Sequence, residues 1–83
     1  MKQVTRIAEI ELGDKVKSFD EIEIGERLSC IHDEMVCIVT DKHMSHIKLI
    51  VLYSQIHPEG THVKSYPWMW RKINNLLLRT ENV

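Results

Sequence analysis

Two tryptophans, a tyrosine and three cations fall within nine residues, Lys64-Ser65-Tyr66-Pro67-Trp68-Met69-Trp70-Arg71-Lys72. Aromatic rings beside Arg and Lys are the side chains that make hot spots at protein interfaces. The same set stacks on bases and pairs with phosphates. Lys64, Tyr66, Trp68, Arg71 and Lys72 are therefore the candidate binding residues, with Trp70 reserved as a core anchor. A second candidate surface is acidic. Glu21, Glu23, Glu26, Asp33 and Glu34 would offer a polyanion-like patch to a basic partner.

Catalytic chemistry is less well supplied. His43-x-x-His46 has a chelating spacing, and Cys30 and Cys37 with the five histidines allow a nucleophile and base on paper. However, His43 and His46 fall in the polar stretch Asp41-Lys42-His43-Met44-Ser45-His46, and His57 and His62 flank a turn, where solvation accounts for them. A zinc site needs four ligands and usually a C-x2-C pair, which neither cysteine provides. G-x-S-x-G, P-loop, H-E-x-x-H and dinucleotide fingerprints are all missing. The expectation is a non-enzyme with no cofactor and no metal. A metal-dependent hydrolase ranks last.

These groups must be positioned by a short chain. Eighty-three residues make one domain, 1–83, whose single core supplies on the order of 3–5 kcal/mol. Self-association is the simplest reinforcement, so a homo-oligomer is expected. The longest apolar run, Leu49-Ile50-Val51-Leu52-Tyr53, is far too short to span a bilayer. The N-terminal residues lack a signal-peptide core, and two cysteines do not make a secreted disulfide scaffold. A soluble, cytoplasmic chain with no membrane partner is expected. Net charge is −1, yet residues 9–41 carry ten acids against Lys15, Lys17 and Arg27. Residues 42–80 carry six cations against Glu59. Either the halves balance each other in the fold or the surface is bipolar.

Residues 4–12 alternate as a half-buried strand ending at Gly13-Asp14 in a tight turn; a helix collecting Val4, Ile7, Ala8 and Leu12 fits nearly as well. Ser18-Phe19-Asp20-Glu21 has the form of a capping box, followed by one helical turn plugged by Phe19, Ile22 and Ile24. Residues 27–32 and 35–40 read as a hairpin centred on Asp33-Glu34, which sets Leu28 opposite Val39, Cys30 opposite Cys37 and His32 opposite Met35. Residues 47–56 form a central strand apolar on both faces, and residues 62–66 a short edge strand. Pro67 then opens a helix over 67–80. Met69, Trp70, Ile73, Leu76, Leu77 and Thr80 would form its buried stripe, and Trp68 would lie off it.

The run from Ser18 to Leu28 looks like the turn-then-strand entry of small SH3-like barrels, over eleven residues and without specifying a family. The expected architecture is α+β: a small antiparallel, SH3-like, barrel-like sheet of about five strands (1–66) closed by one C-terminal amphipathic helix (67–80). The expected function is a binding module, a regulator or inhibitor that occupies a site on another protein, of the kind that phages and mobile elements carry at this size. The alternative is a nucleic-acid or nucleotide-binding protein using the basic aromatic segment.

Overall fold

Alternation between Leu28 and Val51 builds the centre of the fold. The computed structural model describes residues 2–82, and within them Leu28, Cys37, Val39, Ile47, Leu49 and Val51 all lose their solvent exposure on one side of a sheet. That sheet has six antiparallel strands: β1 (Gln3–Lys15), β2 (Arg27–Cys30), β3 (Met35–Lys42), β4 (Ile47–Ser54), β5 (His62–Ser65) and β6 (Trp70–Asn82). They are ordered β1-β6-β2-β3-β4-β5. Two one-turn 3-10 segments, Phe19–Glu21 and Pro67–Met69, are the only helical elements among the described residues, so no helix is long and apolar enough to cross a membrane.

The expected α+β architecture is thereby corrected. No helix spans 67–80. Pro67 does open a turn, as its fixed φ favours, but the turn lasts three residues and Trp70 leaves it in extended conformation, φ −129 and ψ 156. From there the chain pairs with β1 over its whole length, from Lys15↔Arg71 to Gln3↔Asn82. The physical reason is backbone satisfaction. β1 has no other strand partner among the described residues, and a helix over 70–82 would leave its amide groups without a ladder. The helical stripe also fails as a roof: Trp70 is buried, but Leu77 is 53 % exposed. Nor does Gly13-Asp14 end β1 in a turn, because the strand runs through to Lys15.

Irregularities in the β1–β6 ladder decide which residues share a face. The register slips between Ile7 and Glu9, making Ala8 a bulge residue. The slip lets Ile7↔Leu78 and Ile10↔Leu76 lie on one side, while Arg6, Glu9 and Glu11 take the other. A second slip lies beside Gly13. A Cβ there would stand 2.8 Å from Asn74 Oδ1 and 3.2 Å from Lys72 Cβ, so the close approach suits glycine. The start of β1 returns against the end of β4, where Thr5 Oγ1 donates to Glu59 Oε2 at 3.3 Å. The sheet therefore curls towards itself.

The β2–β3 hairpin forms with its centre one residue earlier than expected. Leu28 pairs with Cys37 and Ser29 with Val36; Cys30 instead faces Trp70 on β6. Moving the centre by one residue moves partners by two, which preserves the faces. β4 is buried on one side only: Ile47, Leu49 and Val51 are enclosed, while Ile50 and Leu52 are half-buried.

Trp70 ties these parts together. Its ring is 1 % exposed among Leu28, Cys37 and Val51 in the core cluster, and its Nε1 donates to Ser65 Oγ at 2.9 Å. Loss of such a side chain costs about 3–5 kcal/mol, comparable to the whole stability of a domain this size. Trp70→Ala is therefore expected to abolish the cooperative urea transition at 25 °C. A variant that keeps the wild-type midpoint contradicts this packing.

Candidate functional site

The candidate binding residues separate once the strands are in place. In the β4–β5 pair, Ile47↔Ser65 and Leu49↔Val63 share the core side, while Lys48↔Lys64 and Ile50↔His62 share the outer one. Tyr66 is extended (φ −123, ψ 150) and continues the alternation onto the side of Lys64. Pro67 turns inward and is buried. Trp68 then emerges beside Tyr66. The two rings stack with centroids 5.0 Å apart and planes 5° from parallel, yet remain 46 % and 52 % exposed. Trp68 is thus exposed as expected, though an extended strand and a 3-10 turn put it there, not its angle around a helix.

Arg71 and Lys72 do not join this face. Arg71 Nε donates to the Gly13 carbonyl at 3.2 Å, bracing β1 against β6. Lys72 turns to the opposite side, where Nζ donates to Glu26 Oε2 at 2.6 Å and to the Glu21 carbonyl. Lys42 reaches the same 3-10 turn from β3, donating to the carbonyls of Phe19 at 3.1 Å and Ile22 at 2.7 Å. Two lysines from different strands therefore clamp the turn. Both are structural.

The acidic set is likewise divided. Glu21 accepts the Lys17 amide at 2.6 Å and the Ser18 amide at 2.9 Å, the glutamate half of the capping box. Those two backbone bonds hold its carboxyl below the usual glutamate value, helped by the charges of Lys17 and Lys72. Glu26 accepts the Glu23 amide as well as Lys72. Glu23 is left exposed at the rim of a hollow that it lines with Glu21 and Glu26. Asp33 and Glu34 lie on the β2–β3 turn, away from that lining, and Glu34 accepts from Gln55 Nε2 at 3.0 Å. Ile24, expected to plug the turn, is 64 % exposed; Ile22 fills that role.

The histidines and cysteines form no reactive constellation. Cys37 lies in the core, and burial, followed by the neighbouring Cys30, pushes its thiol up to about 12. It stays protonated at neutral pH and is a poor nucleophile. His43 and His46 stack across the β3–β4 turn, centroids 4.5 Å apart, and the turn closes through His43 N–H to the His46 carbonyl at 2.8 Å. Among the described residues no group of three or more His, Cys, Asp or Glu is placed to hold a metal ion.

Lys48 is the residue that sequence reasoning missed. It was absorbed into an apolar strand, although a lone lysine between Ile47 and Leu49 marks the outer side of that strand. Its place beside Lys64 required the β4–β5 register. No family model matches the chain, and comparison with curated proteins and with solved structures gave no match.

His46 senses this cationic face. Partial desolvation first, then the charges of Lys64, His43 and Lys48, hold it below the ordinary 6.5, with Asp41 opposing. A histidine depressed in the folded state protonates more readily when unfolded. Its contribution to stability is complete above about 6.5 and declines as the pH falls through that value towards the folded one. The wild-type urea midpoint is expected to fall between pH 8 and pH 5.5, and His46→Gln to lose less. Identical pH profiles contradict the assignment.

Proposed function

We propose that this chain is a non-enzymatic binding module that acts as a regulator or inhibitor by occupying a site on another protein, with the Tyr66–Trp68 stack at the centre of its contact surface. The carrying observation is that stack: two large, nearly parallel rings half exposed to water, with a buried proline between them in sequence. Lys42 and Lys72, by contrast, are put to structural use in the clamp on the 3-10 turn. An aromatic pair fixed in one geometry loses little entropy on binding and presents a large apolar area with polar tips, the composition of an interface hot spot. Burial keeps the Cys37 thiol protonated and a poor nucleophile, which supports the non-enzymatic reading.

A second reading has its own observation. The Lys48↔Lys64 pair lies two residues along the chain from Tyr66, and aromatic rings beside cations also bind single-stranded nucleic acid. That reading requires binding that weakens steeply with salt. Titration of labelled oligonucleotides at rising salt checks it, and an absence of binding at low salt removes it. Self-association, also expected for so small a core, has a candidate surface of its own in Ile10 and Leu12 on β1, 38 % and 43 % exposed; sedimentation measures it.

The protein-binding proposal is tested by immobilising the wild type, Trp68→Ala and Glu23→Gln and comparing the partner that each retains from cells expressing the chain. Trp68→Ala is expected to fold with an almost unchanged urea midpoint and to weaken binding by about 2 kcal/mol or more. Glu23→Gln is expected to bind as the wild type does. The reverse outcome moves the surface to the acidic hollow and overturns the proposal.

A further inference from the structure

Lys48 and Lys64 are direct cross-strand partners on the outer side of β4 and β5. Like charges in that relation repel and destabilise the pair. Among the described residues neither lysine forms an ion pair that would offset it. Asp41, which also pairs in register with Lys48, has its carboxylate engaged by His43 Nε2 at 3.0 Å and by the Lys42 amide at 2.9 Å. His62 lies two residues before Lys64 on the same side and Tyr66 two residues after, each step spanning about 7 Å of extended chain. The repulsion therefore sits next to the exposed aromatic stack. Lys42 and Lys72, by contrast, end on carbonyls and a carboxylate.

We infer that Lys48 and Lys64 form an anion-binding subsite that takes one or two carboxylates of a short acidic polypeptide segment, whose neighbouring apolar groups lie on the exposed face of Trp68. The inference rests on the protein-binding reading and gives the partner its chemistry. A carboxylate set between the two ammonium groups replaces their repulsion with two charge-assisted hydrogen bonds. The dimensions favour a peptide over a nucleic-acid strand. Tyr66 and Trp68 cover each other's inner faces, leaving no slot for a base between them. The cationic patch is two lysines wide, with Asp41 along β3 and Glu59 in the turn after β4, so a long polyanion would meet carboxylates beyond it.

The test uses blocked hexaglutamate as probe, with hexalysine and hexathymidylate as comparisons, read by 1H–15N shifts on the intact chain. Hexaglutamate is expected to shift the amides of Lys48 and Lys64 and the indole of Trp68, and hexalysine to shift none of them. The double variant Lys48→Gln/Lys64→Gln should bind hexaglutamate at least tenfold more weakly. It should also unfold at a higher urea concentration, because the repulsion is gone, which shows that the loss is not misfolding. Absence of shifts at these three residues, or equal binding by the double variant, overturns the inference. Tighter binding of hexathymidylate overturns it in favour of nucleic acid. If Trp68→Ala releases the captured partner while the double variant retains it, the surface stands and only the acidic class fails; if neither variant releases it, both proposals fall.

Discussion

The two ends of the chain keep each other extended. β1 and β6 are each thirteen residues long, and among the described residues β6 beyond Lys72 pairs with β1 alone. An isolated two-stranded ribbon is marginal in water, so this one depends on its root. There Trp70 enters the core, the Val16 amide donates to the Trp70 carbonyl at 2.9 Å, and the Ile31 amide donates to the Met69 carbonyl at 3.0 Å. Remove the anchor and the ribbon has nothing to extend from. The pairing also joins Gln3 to Asn82, nearly the largest separation the sequence permits, so its loop-closure entropy must be met by contacts formed earlier in β2, β3 and β4.

That dependence explains where reading the residues succeeded and where it did not. Residues 28–54 declare themselves because one face is apolar at a period of two and the partner strand follows within a few residues. The hairpin centre slipped by one residue because no Gly-bearing dipeptide at 31–34 pins a particular turn type. The C-terminal segment was different. Leu76-Leu77-Leu78 satisfies a helical stripe and a strand equally well, and Asn74-Asn75 favours neither. Only a partner near the opposite end of the sequence decides, and Ala8, the bulge that lets Ile7 and Ile10 share a face, gives no signal of its own. Tertiary pairing overrode a pattern that was ambiguous on its own.

The candidate site was legible by composition and opaque in arrangement. Trp68 is exposed as the off-stripe helical reading expects, but a 3-10 turn after an extended Tyr66 puts it there. Arg71 and Lys72 came along as neighbours in sequence, yet alternation along β6 sends them to opposite faces, and each ends on structural acceptors. Among the acids, Glu21 and Glu26 looked like surface charge but serve backbone amides and a lysine. A carboxylate three residues after a serine is as much a capping group as a recognition group, and the turn at Phe19–Glu21 uses it in the first way.

The outer face of β4 and β5 brings like charge and exposed aromatic area together. Among the described residues no buried side-chain polar atom lacks a partner, and the lysines that reach the 3-10 turn all end on oxygen. On this face two lysines oppose each other in register, two rings stay half exposed, and partial desolvation, followed by nearby cations, holds His46 below its ordinary value. A domain with only a few kcal/mol of stability has little reason to keep so much repulsion and exposed apolar area on a single side unless something outside the chain relieves it. In the proposed complex the groups that weaken the isolated fold would be those that gain most from an incoming anion carrying apolar neighbours, so the cost in the free state and the affinity in the bound state would have one origin.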